Sequence, residues 1–217
     1  GVGAALYAIQ FIPEYGVVKG IWYSIFHAVS AFCNAGIDIL GDSSLTAYVT
    51  NPIVNLTTMI LIILSGLGFT VWFDIIANGK KLIRREMPGR WWFTRLKLQS
   101  KLAIIMTILL IISGAVFVFL AEYDNPETLG NLSLGNKVMA SFFQSVTNRT
   151  AGFATISQNA LHTESKLFHC ILMFIGGSPG GTAGGVKTTT IAMLFLACLT
   201  FVRGGNDTEC MGKKISV

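Results

Sequence analysis

The sequence predicts an all-α polytopic membrane protein made of repeated helix–pore loop–helix units around a central pore, with one broken helix. Three observations carry that expectation. Hydrophobic residues make up 52% of the chain and charged residues 12%, with a mean hydropathy of +0.61, whereas a soluble domain is about 25% charged. A half-length apolar or amphipathic run ending in a polar residue, Ala and Gly occurs twice, and aligning Gly152 on Gly36 lays Thr150-Ala151-Gly152 over Asn34-Ala35-Gly36. Finally, a glycine-rich stretch interrupts the last apolar run. A helix too short to cross a bilayer, followed by a glycine turn, reads as a re-entrant loop, because irregular backbone is tolerated at membrane depth only where it lines a wet cavity.

The elements follow in order. Residues 1–79 read as one repeat whose first helix is truncated: Gly1 to Ile12 are its last turns, closed by Pro13 and Glu14. A pore helix over 20–33 reaches about 21 Å at 1.5 Å per residue, short of the roughly 30 Å hydrocarbon core. The turn 34–36 and a polar return with Asp38 and Asp42 lead to a full span, 53–77, between Asn51-Pro52 and Asn78-Gly79. Residues 80–101 form a basic connection. Seven Lys/Arg against one Glu between Lys80 and Lys97 place it on the cytoplasmic face. Residues 102–203 form a second repeat: a span over 102–121 ending at the external acids Glu122, Asp124 and Glu127, a pore helix 137–146, a turn 147–153 and a broken helix 167–202. Residues 204–217 are a cytoplasmic tail. Two crossings separate the two pore loops, so both dip in from the outer face, as parallel repeats around one pore require.

Several function classes are disfavoured. The net charge of +5 sits next to apolar spans, as a topology signal does, and nucleic acid is not expected as a partner. Cys33, Cys170, Cys198 and Cys210 form no CxxC pair, so neither a disulfide framework nor a zinc site is indicated. His27, His162 and His169 read as packing or surface residues. Gly181 to Thr188 looks at a glance like a phosphate-binding loop, which would make the chain a membrane enzyme or ATPase; but Val186 stands where that motif needs Gly before Lys, and no apolar strand precedes it. A non-conducting assembly subunit is the third reading.

The chemistry of the turns points to a cation. A turn that aims successive carbonyls at an axis needs a residue of unusual φ, which glycine adopts without a Cβ clash, and carbonyl dipoles can then replace an ion's hydration shell. Both pore helices direct their negative C-terminal ends at the same place. Arg149 in the second turn would brace it from behind through hydrogen bonds to neighbouring backbone. Gly176, Gly177, Ser178, Pro179, Gly180, Gly181, Thr182, Ala183, Gly184 and Gly185 will not hold a helix; they predict a flexible intramembrane loop across the path, able to move between blocking and open arrangements. Two readings of Lys187 stand beside it: a fixed charge facing the path, or a side chain snorkelling to the inner interface.

Asn34-Ala-Gly36, Asn148-Arg-Thr-Ala-Gly-Phe153 and the Gly176 to Lys187 loop resemble the Trk/Ktr/HKT superfamily of potassium transporters, most closely the membrane subunit of the bacterial Ktr type, and the resemblance covers essentially the whole chain. It implies a potassium-channel-like fold of four repeats, of which this sequence would hold the second, without most of its first helix, and the third. Gly1 follows no Met and opens in mid-apolar pattern, as a piece of a longer chain would. The resemblance further implies potassium uptake across the plasma membrane, most simply a bacterial inner membrane, with no enzymatic activity. The filter would be the backbone of Asn34, Ala35, Gly36, Thr150, Ala151 and Gly152, holding potassium, and the glycine-rich loop would be the gate. No organic cofactor is expected in this chain. Expected partners are a second copy in a homodimer, membrane lipid, and a cytoplasmic ring of nucleotide-binding regulatory subunits.

Overall fold

A computed structural model describes residues 1–41, 43–85, 88–89 and 92–203, with the backbone of 208–210 and 213–215. Asp42, part of the basic connection (including Arg90 and Trp91) and most of the tail lie outside the described residues.

Helix α1 (Val2–Tyr15) turns at Gly16 into α2 (Val17–Phe32). Pro13 does not close α1, as the sequence suggested; it sits inside the helix. The reason is an aromatic stripe at helical spacing that continues past it: Tyr7, Phe11 and Tyr15 follow one another at centroid distances of 5.5 and 6.0 Å. Packing of that face outweighs one missing N–H. The chain reverses at Gly16, where φ is +80°, and the two helices pack closely enough that a Cβ on Gly20 would stand 2.6 Å from Ile12 Cα.

A 3-10 turn, Thr46–Tyr48, precedes α3 (Pro52–Gly66). The Asn51 side chain accepts from the Ile53 and Val54 amides, with Pro52 in the first turn. The sequence predicts one full span over 53–77. Instead the chain bends by 95° between α3 and α4 (Phe69–Ile83). Leu67 and Gly68 make the break, Gly68 at φ +85°, and the Trp72 indole donates across it to the Leu64 carbonyl at 2.7 Å. Asn78-Gly79 does not stop α4, because the Asn78 amide bonds back to the Asp74 carbonyl and carboxylate within the helix. Asp74 itself, buried, accepts the Lys97 amide at 2.7 Å and so joins α4 to the start of the next span.

After α5 (Trp92–Arg95), α6 (Leu98–Ala121) is long and apolar enough to cross a membrane; its 24 residues extend about 36 Å. Helix α7 (Leu134–Thr147) begins three residues before the expected 137, where Lys137 is held by the Tyr123 carbonyl at 2.7 Å and stands over the Tyr123 ring. The broken helix consists of α8 (Thr163–Phe174) and α9 (Thr188–Val202). Backbone at Thr208–Cys210 and Lys213–Ile215 pairs as a short antiparallel hairpin, β1 and β2.

One core serves both halves. Tyr7, Phe11, Tyr48, Val54 and Ile62 of the first half pack with Phe143, Val146, Ala151 and Phe153 of the second. Helix α7 also seats deeply on α6: a Cβ on Gly114 would run into the Ser145 hydroxyl, which donates to the Ile111 carbonyl at 2.8 Å.

Candidate functional site

The two short turns at the C-terminal ends of α2 and α7 share one backbone pattern. Asn34 and Thr150 have φ of +50° and +66°, and two residues on, Gly36 and Gly152 have +66° and +90°. Glycine takes that region freely, but a β-branched threonine there is an outlier that its surroundings must hold. The Ala35 amide donates to the Ser30 carbonyl at 3.0 Å and the Ala151 amide to the Thr147 carbonyl at 2.9 Å, so each turn hangs from the last turn of its own helix.

The residue after each glycine is fixed in the same way. Ser30 Oγ donates to the Ile37 carbonyl and Thr147 Oγ1 to the Phe153 carbonyl, both at 2.6 Å. Sequence reasoning missed these two hydroxyls. A Ser or Thr in the last turn of each half-length helix was the available signal, since such side chains bond readily to nearby backbone. Outside the second turn, Gln144, fully buried, exchanges two amide hydrogen bonds with Gln158 at 2.7 and 3.1 Å. The Ala154 carbonyl accepts from the Leu45 amide at 2.9 Å, which stitches the exit of the second turn to the return of the first.

The turns are in contact. A Cβ on Gly36 would collide with the Ala151 carbonyl oxygen and stand 2.7 Å from Gly152 Cα. A cavity of about 380 Å³ reaches both, lined by Ala35 on one side and by Thr150, Ala151, Gly152 and Gln158 on the other. A shallower depression of about 600 Å³, bordered by Ser43, Ser44, Glu127 and Thr128, also meets Ala154 and Gln158. Among the described residues, no protein hydrogen bond goes to the carbonyls of Asn34, Ala35, Gly36, Thr150, Ala151 or Gly152. Ala35, Thr150, Ala151 and Gly152 line the cavity, where open carbonyls can take water or a cation, and six such acceptors in two equivalent turns suit a cation as ligand.

Arg149 is 2% exposed. It does not bond to neighbouring backbone as expected; Nη2 donates to the Thr107 hydroxyl of α6 at 3.3 Å, and Nε and Nη1 meet no acceptor among the described residues. His27 and His169 are buried packing residues, His27 within the aromatic cluster of Phe11, Phe26 and Phe153.

The glycine-rich loop lies directly against these turns and is not slack. It closes on itself through Gly176 N–H to the Val186 carbonyl and Gly177 N–H to the Gly184 carbonyl, at 3.1 and 3.2 Å. It docks into the bend between α3 and α4: Ser178 N–H donates to the Gly66 carbonyl at 2.9 Å, Thr182 N–H to Ser65 at 3.3 Å, and Phe69 N–H to the Gly180 carbonyl at 3.2 Å. Its glycines permit close approach more than freedom, for a Cβ on Gly176 would collide with the Gly184 carbonyl and one on Gly181 would stand 2.7 Å from the Gly66 carbonyl. Ser178 and Thr188 hydroxyls pair at 3.1 Å where α9 begins. Lys187 folds back to donate to the Ala183 carbonyl at 2.8 Å.

Comparison with known proteins places this arrangement. The TrkH family of cation transport proteins matches residues 2–216. The potassium/sodium uptake protein NtpJ of Enterococcus hirae is 40% identical over 99% of this chain and 44% of its own length. The Ktr system potassium uptake protein B of Bacillus subtilis is 36% identical over 99% of this chain and 45% of its own length. Among solved structures, the potassium transporter TrkH of Vibrio parahaemolyticus superposes with a TM-score of 0.73 at 20% identity, covering 98% of this chain and 43% of that one. The chain therefore spans less than half the length of these relatives.

Proposed function

The chain belongs to the TrkH family of cation transport proteins, and from that premise we propose that it lines a potassium pathway in the plasma membrane, with the two turns as half of a carbonyl selectivity filter and the glycine-rich loop as its gate. The single observation that carries the reading is the set of six open carbonyls at Asn34, Ala35, Gly36, Thr150, Ala151 and Gly152, in two turns of matching φ that touch at their glycines. Carbonyl dipoles of this kind stand in for the hydration shell of a potassium ion, the transported substrate. The C-terminal ends of α2 and α7 add negative potential beside it. The buried guanidinium of Arg149 supports the second turn through α6 and Thr107.

The loop is suited to gating because it packs next to the filter yet is held by backbone hydrogen bonds to a helix bend, a discrete docking that a conformational change can undo. Two of the relatives are named as potassium uptake proteins, which supports transport over catalysis. As the sequence's family resemblance implies, we further propose that the complete transporter is a homodimer that meets a cytoplasmic ring of nucleotide-binding subunits on the face carrying the basic connection. Deleting Ser178 to Gly185 in the full-length transporter tests the gate. Potassium flux into proteoliposomes should rise and depend less on the regulatory ring; a variant that inserts normally and conducts no faster than the parent would reduce the loop to a passive break in the helix.

A further inference from the structure

The loop is tied to both filter turns by one hydrogen bond each, and each tie ends on the first residue of the repeated triplet. Asn34 Nδ2 donates to Thr182 Oγ1 at 2.8 Å, and Gly184 N–H donates to Thr150 Oγ1 at 2.7 Å. The first tie has a consistent set of donors and acceptors around it. Thr182 Oγ1 spends its own proton on the Phe32 carbonyl, the C-terminal end of α2, at 3.2 Å, and Ser65 Oγ, 3.4 Å from the same amide, spends its proton on the Ile62 carbonyl at 3.1 Å. With both hydroxyl protons on carbonyls, each hydroxyl accepts from the Asn34 amide nitrogen, and Asn34 Oδ1 is left without a partner among the described residues.

Asn34 and Thr150 are also the two non-glycine residues of the turns with positive φ. Such backbone persists only where neighbours over-determine it. The loop supplies part of that constraint at both positions.

We propose that Asn34 and Thr150 couple the filter to the loop, so that undocking the loop releases the inner ends of both turns and lowers ion discrimination at the same time as it opens the path. The inference rests on reading the turns as filter and the loop as gate. It makes the loop a determinant of selectivity as well as a barrier, and by reciprocity an ion that favours the ordered turns also favours the docked loop.

Thr182 carries the test because its hydroxyl lies outside the filter and touches it only through Asn34 and Phe32. In the full-length transporter, Thr182→Val removes that hydroxyl at nearly constant volume. Its potassium-over-sodium preference, measured by competitive uptake of the two ions, should fall roughly fivefold or more, the low end of a typical coupling between sites, while potassium flux rises. Thr182→Ser, which restores the hydroxyl, should recover the parental preference. A Thr182→Val protein that conducts faster with its preference unchanged would overturn the coupling and leave a gate independent of the filter; one that changes neither flux nor preference would overturn it as well. Failure of the underlying reading is a different result, because Gly152→Ser would then also leave the preference unchanged, whereas failure of the coupling alone leaves the Gly152→Ser effect in place.

Discussion

Gly36 and Gly152 meet backbone to backbone. A methyl on Gly36 would stand 2.7 Å from Gly152 Cα, and a methyl on Gly152 would stand 3.2 Å from Gly36 Cα. No side chain separates the two turns at this point, so each positions the other. If these carbonyls serve as ligands, a shift of one turn becomes a shift of both.

Serine at either position should therefore reduce potassium preference over sodium, and Gly36→Ser should do so more severely. The added Cβ at Gly36 meets backbone, including the Ala151 carbonyl, whereas at Gly152 a movement of a few tenths of an ångström suffices. Both substitutions also force a side chain into positive φ, at a cost of about 1–3 kcal/mol. Competitive uptake of the two ions at matched membrane abundance measures the effect. Unchanged preference in both variants would remove these turns from the filter.

Much of this arrangement is legible in the sequence, and the rest is hidden for identifiable reasons. Composition sets the membrane class, and the repeated triplet is visible because the polar residue, Ala and Gly recur in register at Asn34 and Thr150. The bend at Gly68 is not visible, since Gly66 and Gly68 look like the other small residues of a mainly apolar span and the break depends on contact with a loop more than a hundred residues away. Glycine density predicts the interruption of the last helix correctly but suggests looseness, whereas Gly176 and Gly181 are small because other backbone occupies their Cβ positions. The proline at position 13 misleads in the opposite sense, because its local penalty is overridden by the aromatic stripe of buried Tyr7 and Phe11 and half-buried Tyr15. The sequence places Arg149 on backbone near the turn, but the side chain is long enough to reach Thr107 of α6 instead.

Glu122 gives a prediction about pH. Fully buried at the C-terminal end of α6, it accepts from the His162 amide and Ser165 hydroxyl through Oε1, and from the Asn125 amide and Thr128 hydroxyl through Oε2. Burial alone would raise its pKa, but the four donors more than offset that and hold it below the ordinary carboxylate value. Stability from this group is complete above the unfolded-state value of about 4.3 and is lost as the pH falls through the lower folded value. Glu122→Gln turns an N–H toward two of the four donors and should cost about 2 kcal/mol or more at neutral pH. Thermal unfolding of the purified transporter from pH 7 down to pH 3 checks both points: the variant should unfold at lower temperature at pH 7 and its curve should approach the parent's at the acid end. Parallel curves at every pH would separate Glu122 from the acid response.

Gly68 offers a second way to undock the loop without cutting it. It is the hinge of the 95° bend, at φ +85°, and a Cβ there would collide with the Pro179 carbonyl while standing 3.0 Å from the Gly180 carbonyl carbon and the Gly181 nitrogen. Alanine at this position strains the bend and pushes on the loop together, so the hydrogen bonds from Phe69 N–H to Gly180 and from Ser178 N–H to Gly66 cannot both keep their geometry. The docked loop loses stability relative to the undocked one, and a loss of about 1.4 kcal/mol shifts that balance tenfold. Gly68→Ala should therefore raise potassium flux in the absence of the regulatory partner by up to about that factor, with an effect in the same direction as deletion of Ser178 to Gly185. Gly79→Ala serves as the control: its Cβ would meet nothing within 4 Å, and alanine inside α4 should add roughly 0.5–1 kcal/mol of stability without touching the loop. Flux through Gly68→Ala equal to that of Gly79→Ala, at equal membrane abundance, would mean that the bend does not hold the loop in place, and the barrier would have to be sought in the turns themselves.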